Sequence, residues 1–255
     1  MSSVRAATTL ALWGAAFQGG CNADDVLTAL DGTGYRAGVR AASEEVAEAT
    51  GLPGPGSSSA GSAALLPLLR PGPVELLMPT PGDLRGLPVR GAVVLPALDA
   101  GAVVVLPGRG IGLVPVDGQW RAHFCPGGNP VPSLRQAQWE LTEAMELATA
   151  ELTRLDVARS APEVREQIRQ LMLAEAVDCP PGTPAAASAL LAKAISLQAV
   201  LAVADGHETS AVNNFELAAV DDALRPLGSA VRHGRRAAVG AAVAQLTGSG
   251  VGSRS

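Results

Sequence analysis

Three alternating glycines in residues 106–115, LPGRGIGLVP, are the first feature with the composition of a chemical site, because backbone N–H groups of glycine-rich loops bind phosphate. A phosphate loop needs a helix that begins at the glycines, so that its N–H groups and dipole meet the anion. Here the strand-forming sequence LVPV follows Gly112, and no Lys-Ser or Lys-Thr pair is present. The stretch therefore predicts a tight turn between two strands.

The loop PGDLRGLP, residues 81–88, is a stronger candidate for binding. Its acid Asp83 and the bases Arg85 and Arg90 lie between two predicted strands, and loops held by rigid strands often carry binding residues. We hypothesise that these three residues, with Trp120, bind a ligand. The alternative is that Asp83 caps the turn and pairs with Arg85 at the surface, as Asp commonly does in turns.

Four arginines make the C-terminal end basic: Arg225, Arg232, Arg235 and Arg236. They are a candidate surface for nucleic acid or for a protein partner. Phe215 is the only aromatic residue in the last hundred, and the net charge of −5 opposes binding to a polyanion. A solvated or partner-facing helix is therefore the favoured interpretation, and a DNA-associated regulator remains a weaker alternative.

Two further groups have metal-ligating side chains. His123 and Cys125 share one face of a predicted strand, but two ligands do not complete a zinc site. One helix carries four carboxylates, Glu140, Glu143, Glu146 and Glu151. A di-iron bundle also needs Glu-x-x-His pairs, which this region lacks. We therefore predict no metal and no cofactor.

The composition indicates an ordinary globular protein. Of the 255 residues, 47% are hydrophobic and 17% are charged, but only 3% are aromatic. Alanine-rich helices can approach closely, yet they leave few large side chains to line a pocket. The three cysteines are far apart and form no C-x-x-C pair, which favours a reducing compartment.

The N-terminal sequence VRAATTLALWGAAFQGGC has the outline of a bacterial lipoprotein signal that ends at Cys21. Gln18 replaces the expected aliphatic residue, Thr8 and Thr9 interrupt the apolar run, and Arg5 is the only base. An alanine-rich first helix packed into the fold is the preferred interpretation. No other run is expected to approach the roughly 18 apolar residues of a membrane span, so we expect a soluble, cytoplasmic protein without a membrane partner.

Changes in pattern divide the chain into five predicted segments: helical residues 1–50, a flexible Gly/Ser/Pro linker at 51–63, a β-rich part at 64–130, a helical bundle at 131–247 and a disordered tail at 248–255. The β-rich part contains the runs VELLM, GAVVLPAL, AVVVL, IGLVPV and QWRAHF. Connections of two to four residues predict antiparallel hairpins, since parallel pairs need longer crossovers.

Capping patterns mark helix starts in the C-terminal half. Ser133 and Ser160 begin capping boxes, and Thr183 precedes a proline at the first helical position. The last helix, from about residue 210 to 246, should kink or split at Pro226. Short connections then predict an antiparallel bundle. The fold class is α+β: short helices and a mainly antiparallel sheet, followed by the bundle.

The motifs PGDLRGLP, PPGTP and ALRPL with its following arginines resemble a conserved actinobacterial family of uncharacterised function, from Val74 onward. The resemblance implies no activity, ligand or cofactor. No complete catalytic constellation is present, which favours a non-enzymatic interaction or accessory protein that binds a partner or its own copy. An enzyme or small-molecule binder with a site near PGDLRGLP is the alternative.

Overall fold

A computed structural model of the chain describes residues 2–70, 72–84, 86–88, 90–127, 130–154, 162–207 and 214–249. The chain divides into two compact units. Unit 1 comprises Met1–Val131, Val177–Pro184 and Val239–Ser255. Unit 2 comprises Pro132–Ala176 and Ala185–Ala238. The predicted domain boundaries stay predictions, and the predicted tail lies outside the described residues from 250 onward.

Unit 1 is built on a five-stranded sheet with the order β1-β5-β4-β3-β2. Its strands are β1 Val39–Ala41, β2 Glu75–Leu77, β3 Val103–Leu106, β4 Ile111–Val116 and β5 Gln119–Phe124. Its helices are α1 Ser3–Gln18, α2 Ala23–Asp31, α3 Glu44–Thr50, α4 Leu66–Leu69 and α5 Val94–Ala100. Short 3-10 turns are Ser62–Leu65 and Pro107–Arg109. Only β1 is parallel to its neighbour, which confirms the α+β class with a mainly antiparallel sheet.

The glycine-rich stretch forms the turn that its sequence predicts. Gly110 adopts the left-handed conformation, with φ of 64°, and β4 begins at the next residue in antiparallel pairing with β3. A 3-10 turn at Pro107–Arg109 leads directly into β4, so the stretch lacks the α-helix N-terminus that a phosphate loop needs. The following turn places Asp117 and Gly118 both at positive φ, as a tight two-residue hairpin requires.

Helix α1 is part of the core. Ala6, Ala7, Leu10 and Ala11 are fully buried, and α1 contacts β2, β3 and β4. The helix begins after Ser2, whose hydroxyl accepts a hydrogen bond from the backbone of the first turn. This confirms the packed first helix. Cleavage at Cys21 would remove this buried helix, and the lipoprotein alternative stays a prediction.

The two sheet faces carry different side chains, because successive residues of a strand point to opposite faces. Cys125 lies on one face, in a buried apolar cluster with Val103, Val105 and Val114, and α5 covers this cluster. Trp120 lies on the other face and packs on Tyr35, with 5.7 Å between ring centroids. The Tyr35 hydroxyl is 2.8 Å from the Ser3 hydroxyl, which links that face to α1.

The run GAVVLPAL was predicted as a strand, and this is wrong, because its second half forms α5. Val93 and Ala97 are buried four residues apart, whereas Leu95 is 72% exposed, which is helical spacing. Gly101 ends the helix in the left-handed conformation. A short continuous apolar run does not distinguish a strand from a buried helix by its periodicity.

Strand β1 was missed in the segment predicted as helical. It is three residues long and pairs in parallel with β5, so neither its length nor a turn marks it in the sequence. Its outer edge hydrogen-bonds to the predicted linker: Val39 pairs with Ala60, and the Ala41 N–H donates to the Pro53 carbonyl. At least these residues of the predicted linker are therefore tied to the sheet.

Four helices contribute to unit 2: α6 Leu134–Arg154, α7 Pro162–Glu175, α8 Ala185–His207 and α9 Asn214–Ser249. The Ser133 hydroxyl accepts a hydrogen bond from the Gln136 N–H at 3.1 Å, as predicted, whereas Ser160 lies outside the described residues. Leu190 and Leu201 of α8 approach Gly234 and Gly228 of α9, so these two helices run antiparallel.

Helix α9 continues through Pro226, so of the two predicted outcomes the split is wrong, whereas a kink at this proline stays a prediction. Proline removes one hydrogen bond and crowds the preceding turn. Leu224 and Leu227 on either side of it are buried, and their packing keeps the flanking turns helical. The prediction considered the local cost and not the tertiary contacts.

The expectation that no later run reaches membrane-spanning length is also wrong. The segment Ala185–Asp205 of α8 is long and apolar enough to cross a bilayer by length and composition alone. Leu190, Leu191 and Ala194 are buried, and a core helix of a soluble protein passes the same test.

Gly112 provides a test of sheet packing. A β carbon at this position would lie 2.9 Å from the Cys125 Cβ and 3.1 Å from the Val103 Cγ2. We expect Gly112→Ala to lower the free energy of unfolding by about 1–3 kcal/mol through overpacking. Gly56→Ala is the control, since a β carbon there meets nothing within 4 Å. Urea denaturation measures both, and equal stabilities would contradict the packing.

Candidate functional site

Asp83, Arg90 and Trp120, three of the four residues predicted to bind a ligand, lie within the described part of the chain. Asp83 closes a tight turn, in which its backbone N–H and carbonyl hydrogen-bond to Thr80 at 2.9 and 3.0 Å. Arg90 is exposed, and Arg85 lies outside the described residues. The indole of Trp120 is fully buried on the face opposite Cys125, whereas the loop residue Leu87 packs in the Cys125 cluster. A ligand role for Asp83, Arg85 and Arg90 stays a prediction.

The predicted basic surface contains two buried members. Arg235 is 1% exposed and Arg236 is 7% exposed, whereas Arg225 is exposed and Arg232 is partly exposed. Arg235 lies four residues from both Val231 and Val239, on the buried stripe of α9. That spacing was available in the sequence and indicates an inward position. Arg225 and Arg232 are thus the more exposed members of the set, and a binding role for the four arginines stays a prediction.

Two polar contacts link the helices of unit 2. The Arg235 guanidinium lies 3.5 Å from the Glu175 carboxylate of α7, and the His233 ring lies 2.8 Å from Glu140 of α6. Burial lowers the pKa of Arg235, and the charge of Glu175 opposes that shift. The buried Nε of Arg235 has no hydrogen-bond partner, so this ion pair is its main electrostatic compensation.

His123 and Cys125 are both buried. Burial, with a smaller contribution from Arg121, lowers the pKa of His123, and neither ring nitrogen has a hydrogen-bond partner. Burial and the charge of Glu75 raise the pKa of Cys125, so its thiol is protonated at neutral pH. Across the described residues, no three His, Cys, Asp or Glu side chains are grouped to hold a metal ion.

Unit 1 contains a cleft that sequence analysis missed. Its volume is about 490 Å³, which lies within the usual range for small-molecule sites. Helix α1 contributes Arg5, Thr9 and Trp13, one turn apart on a single stripe. Helix α2 contributes Asp25 and Thr28 among others. The spacing of Arg5, Thr9 and Trp13 is visible in the sequence, but the packing of α1 on α2 could not be predicted from it.

Two contacts shape one end of this cleft. The Trp13 indole N–H donates to the Asp178 carbonyl at 2.9 Å, which fixes residues 178–181 beside α1. The Cys21 thiol lies 3.9 Å from the Asp25 carboxylate. Burial and the negative charge of Asp25 raise the pKa of Cys21. Its thiol is therefore protonated at neutral pH and is a weak nucleophile.

Comparison with known proteins identifies the family. The family model described as "Rv1486c-like protein, N-terminal domain" matches residues 7–144. The model described as "Rv1486c-like protein, C-terminal domain" matches residues 135–236. The chain belongs to the Rv1486c-like family. This confirms the resemblance to an uncharacterised actinobacterial family. The N-terminal match includes all five strands and both helices that line the cleft, apart from the first residues of α1.

Two relatives come from Mycobacterium tuberculosis. "Uncharacterized protein Rv1486c" of strain ATCC 25618 / H37Rv is 29% identical over 272 residues, and "Uncharacterized protein MT1533" of strain CDC 1551 / Oshkosh is 30% identical. Each alignment covers 91% of this chain and 94% of the relative. No solved structure matches the chain. Both relatives are described as uncharacterized, so membership of the family assigns no activity to this chain.

The raised pKa of Cys21 gives a pH-dependent prediction. Asp25→Asn removes a negative charge that disfavours the thiolate, so we expect the pKa of Cys21 to fall and its alkylation to begin at lower pH. Mass spectrometry of iodoacetamide-treated protein across a pH series measures the midpoint. Asp24→Asn is the matched control, because it removes the neighbouring carboxylate and keeps Asp25, which contacts the thiol. An unchanged midpoint in Asp25→Asn would contradict the assignment.

The buried ion pair of unit 2 gives a stability prediction. Glu175→Gln leaves the Arg235 charge buried without a carboxylate, and we expect it to lower the free energy of unfolding by about 3 kcal/mol. Glu166→Gln is the control, since it breaks the exposed pair with Arg169 and should leave stability close to that of the parent protein. Thermal denaturation compares the two, and equal loss would refute a special role for Arg235.

Proposed function

We propose that this is a soluble, cytoplasmic, non-enzymatic accessory protein that binds another protein through the outer face of α6. The observation that carries this proposal is the exposure of two large apolar residues. Trp139 is 64% exposed and Leu147 is 62% exposed, although the opposite side of the helix is buried. Tryptophan is enriched among the residues that dominate binding energy at protein interfaces.

The outer face of α6 consists of Trp139, Glu143 and Leu147, which are spaced four residues apart. Its inward side is formed by Ala137, Leu141 and other small or apolar residues. A helix with apolar residues on both sides has more hydrophobic surface than its own fold buries. A partner helix or groove that covers Trp139 and Leu147 would remove this surface from water.

Four further observations support this proposal over its alternatives. Cys21, Cys125 and Cys179 are free thiols, in keeping with a reducing cytoplasm. The raised pKa values of Cys21 and Cys125 make both poor nucleophiles, which favours a non-enzymatic role. The burial of Arg235 and Arg236 weighs against a DNA-associated regulator. The backbone hydrogen bonds of Asp83 favour a turn role over ligand binding.

The proposal predicts that Trp139→Ser with Leu147→Ser abolishes capture of a stoichiometric partner from native lysate. Stability should be nearly unchanged, because both side chains are exposed. Leu95→Ser is the matched control, since Leu95 is 72% exposed in unit 1, and it should capture as the parent does. If the parent chain binds no stoichiometric partner and is monomeric by light scattering, or if the double variant still binds, the proposal fails.

A further inference from the structure

The outer face of α6 carries two opposite charges beside its apolar residues. Arg135 lies in the first turn of the helix and Glu146 lies further along it, and both side chains are exposed. Eleven residues of α-helix make about three turns, so these charges lie within about 20° of each other around the axis and about 17 Å apart along it. Among the described residues, neither side chain is part of an ion pair.

The position of Arg135 is not explained by the stability of its own helix. The N-terminus of a helix has a partial positive charge, which favours acidic side chains in the first turn and disfavours basic ones. No acidic residue is present in the first turn of α6. An interaction outside the helix accounts better for a basic residue at this place.

The charge pattern fits a second copy of the same helix in the opposite direction. When two α6 helices lie side by side in antiparallel orientation, Arg135 of each copy can lie level with Glu146 of the other. The two-fold axis repeats this contact, so one pair of helices forms two ion pairs. A parallel pair would bring like charges together at both positions, which costs affinity. The charges therefore favour one orientation and one register.

The same register places Trp139 near the centre of the contact. The two-fold axis passes halfway between residues 135 and 146, and Trp139 lies within one helical turn of that point. The two indole rings then lie about 5 Å apart along the helix axes, close enough to contact each other. Residues that dominate binding energy cluster near the centre of an interface, and tryptophan is enriched among them. The charges and the apolar residues thus agree on one arrangement.

We propose that the outer face of α6 binds a second copy of this chain, as an antiparallel two-fold dimer in which Arg135 of each copy pairs with Glu146 of the other. This inference rests on the proposed function, because it names the partner of the same face. Trp139, which is 64% exposed in the single chain, becomes covered in the dimer. One face of a 21-residue helix is smaller than a standard interface of about 800 Å² per partner, so the dimer should dissociate on dilution.

Light scattering of the purified full chain over a dilution series tests the dimer. The measured mass should rise from that of one chain to that of two as the concentration increases. Arg135→Glu and Glu146→Arg each bring like charges together twice, so each variant alone should dimerise at least about tenfold more weakly than the parent. Arg165→Glu is the matched control, because it reverses an exposed arginine of α7 outside the face, and it should dimerise as the parent does.

Mixing the two charge-reversed variants is the sharpest test. In a mixed pair, the copy with Arg135→Glu has an acid at both positions and the copy with Glu146→Arg has a base at both, so two ion pairs form again. The equimolar mixture should therefore form a heterodimer with about the affinity of the parent dimer, which also shows that both variants are folded. Native mass spectrometry with a tag on one variant identifies the mixed pair. Failure of the mixture to associate, or dimerisation of either variant alone as strong as that of the parent, would overturn the inference.

The results also separate this inference from the proposed function. A parent chain that stays monomeric, and that captures a different protein through Trp139 and Leu147, would refute the second copy as the partner and leave the proposed function standing. A dimer that persists in Trp139→Ser with Leu147→Ser would contradict both, because it would not use this face. A monomeric chain that captures no protein would also refute both.

Discussion

Helix α1 packs its alanines against the sheet, and the rest of unit 1 is arranged around this contact. The fully buried residues Ala6, Ala7, Ala11 and Ala15 allow the helix axis to approach the strands closely. The same helix contacts α2 and α4, and its Trp13 holds the backbone of Asp178. One helix thus fixes the position of the sheet, two further helices and a segment distant in sequence. The small side chains that allow this close packing also explain why so few aromatic residues are needed.

The sequence predicted the β-hairpins well, because their signals are local. Gly110 and the Asp117-Gly118 pair have the backbone conformations that their turns require, and the strands between them have no room for a crossover. α5 and β1 could not be predicted in the same way. The apolar run at residues 91–98 fits both a strand and a buried helix, and only its position over the Val103 and Val105 side chains decides for the helix. β1 forms because its backbone pairs with the edge of β5, a strand that is distant in the sequence.

The same difference between local and non-local causes applies to the candidate sites. The 5-9-13 stripe of α1 and the inward position of Arg235 are both visible as helical spacing, yet neither had a functional meaning until the packing was known. Trp120 was predicted to bind a ligand together with the loop residues. Its place on β5, one residue from Arg121, puts it on the face where Tyr35 covers it, away from the loop of Asp83. The alternation of side chains along β5 was enough to predict that Trp120 and Cys125 lie on opposite faces of the sheet. The sequence near Asp83 did not show which of these faces its loop would cover.

The low aromatic content limits the kind of ligand that unit 1 can hold. Large apolar ligands are bound by many large apolar side chains, and the cleft between α1 and α2 has one, Trp13. Its other functional groups are charged side chains, hydroxyls and the Cys21 thiol, and most of them come from the surfaces of α1 and α2. A ligand of such a cleft would gain little from buried apolar area, since a single ring contact returns less than the desolvation of an unpaired charged group costs.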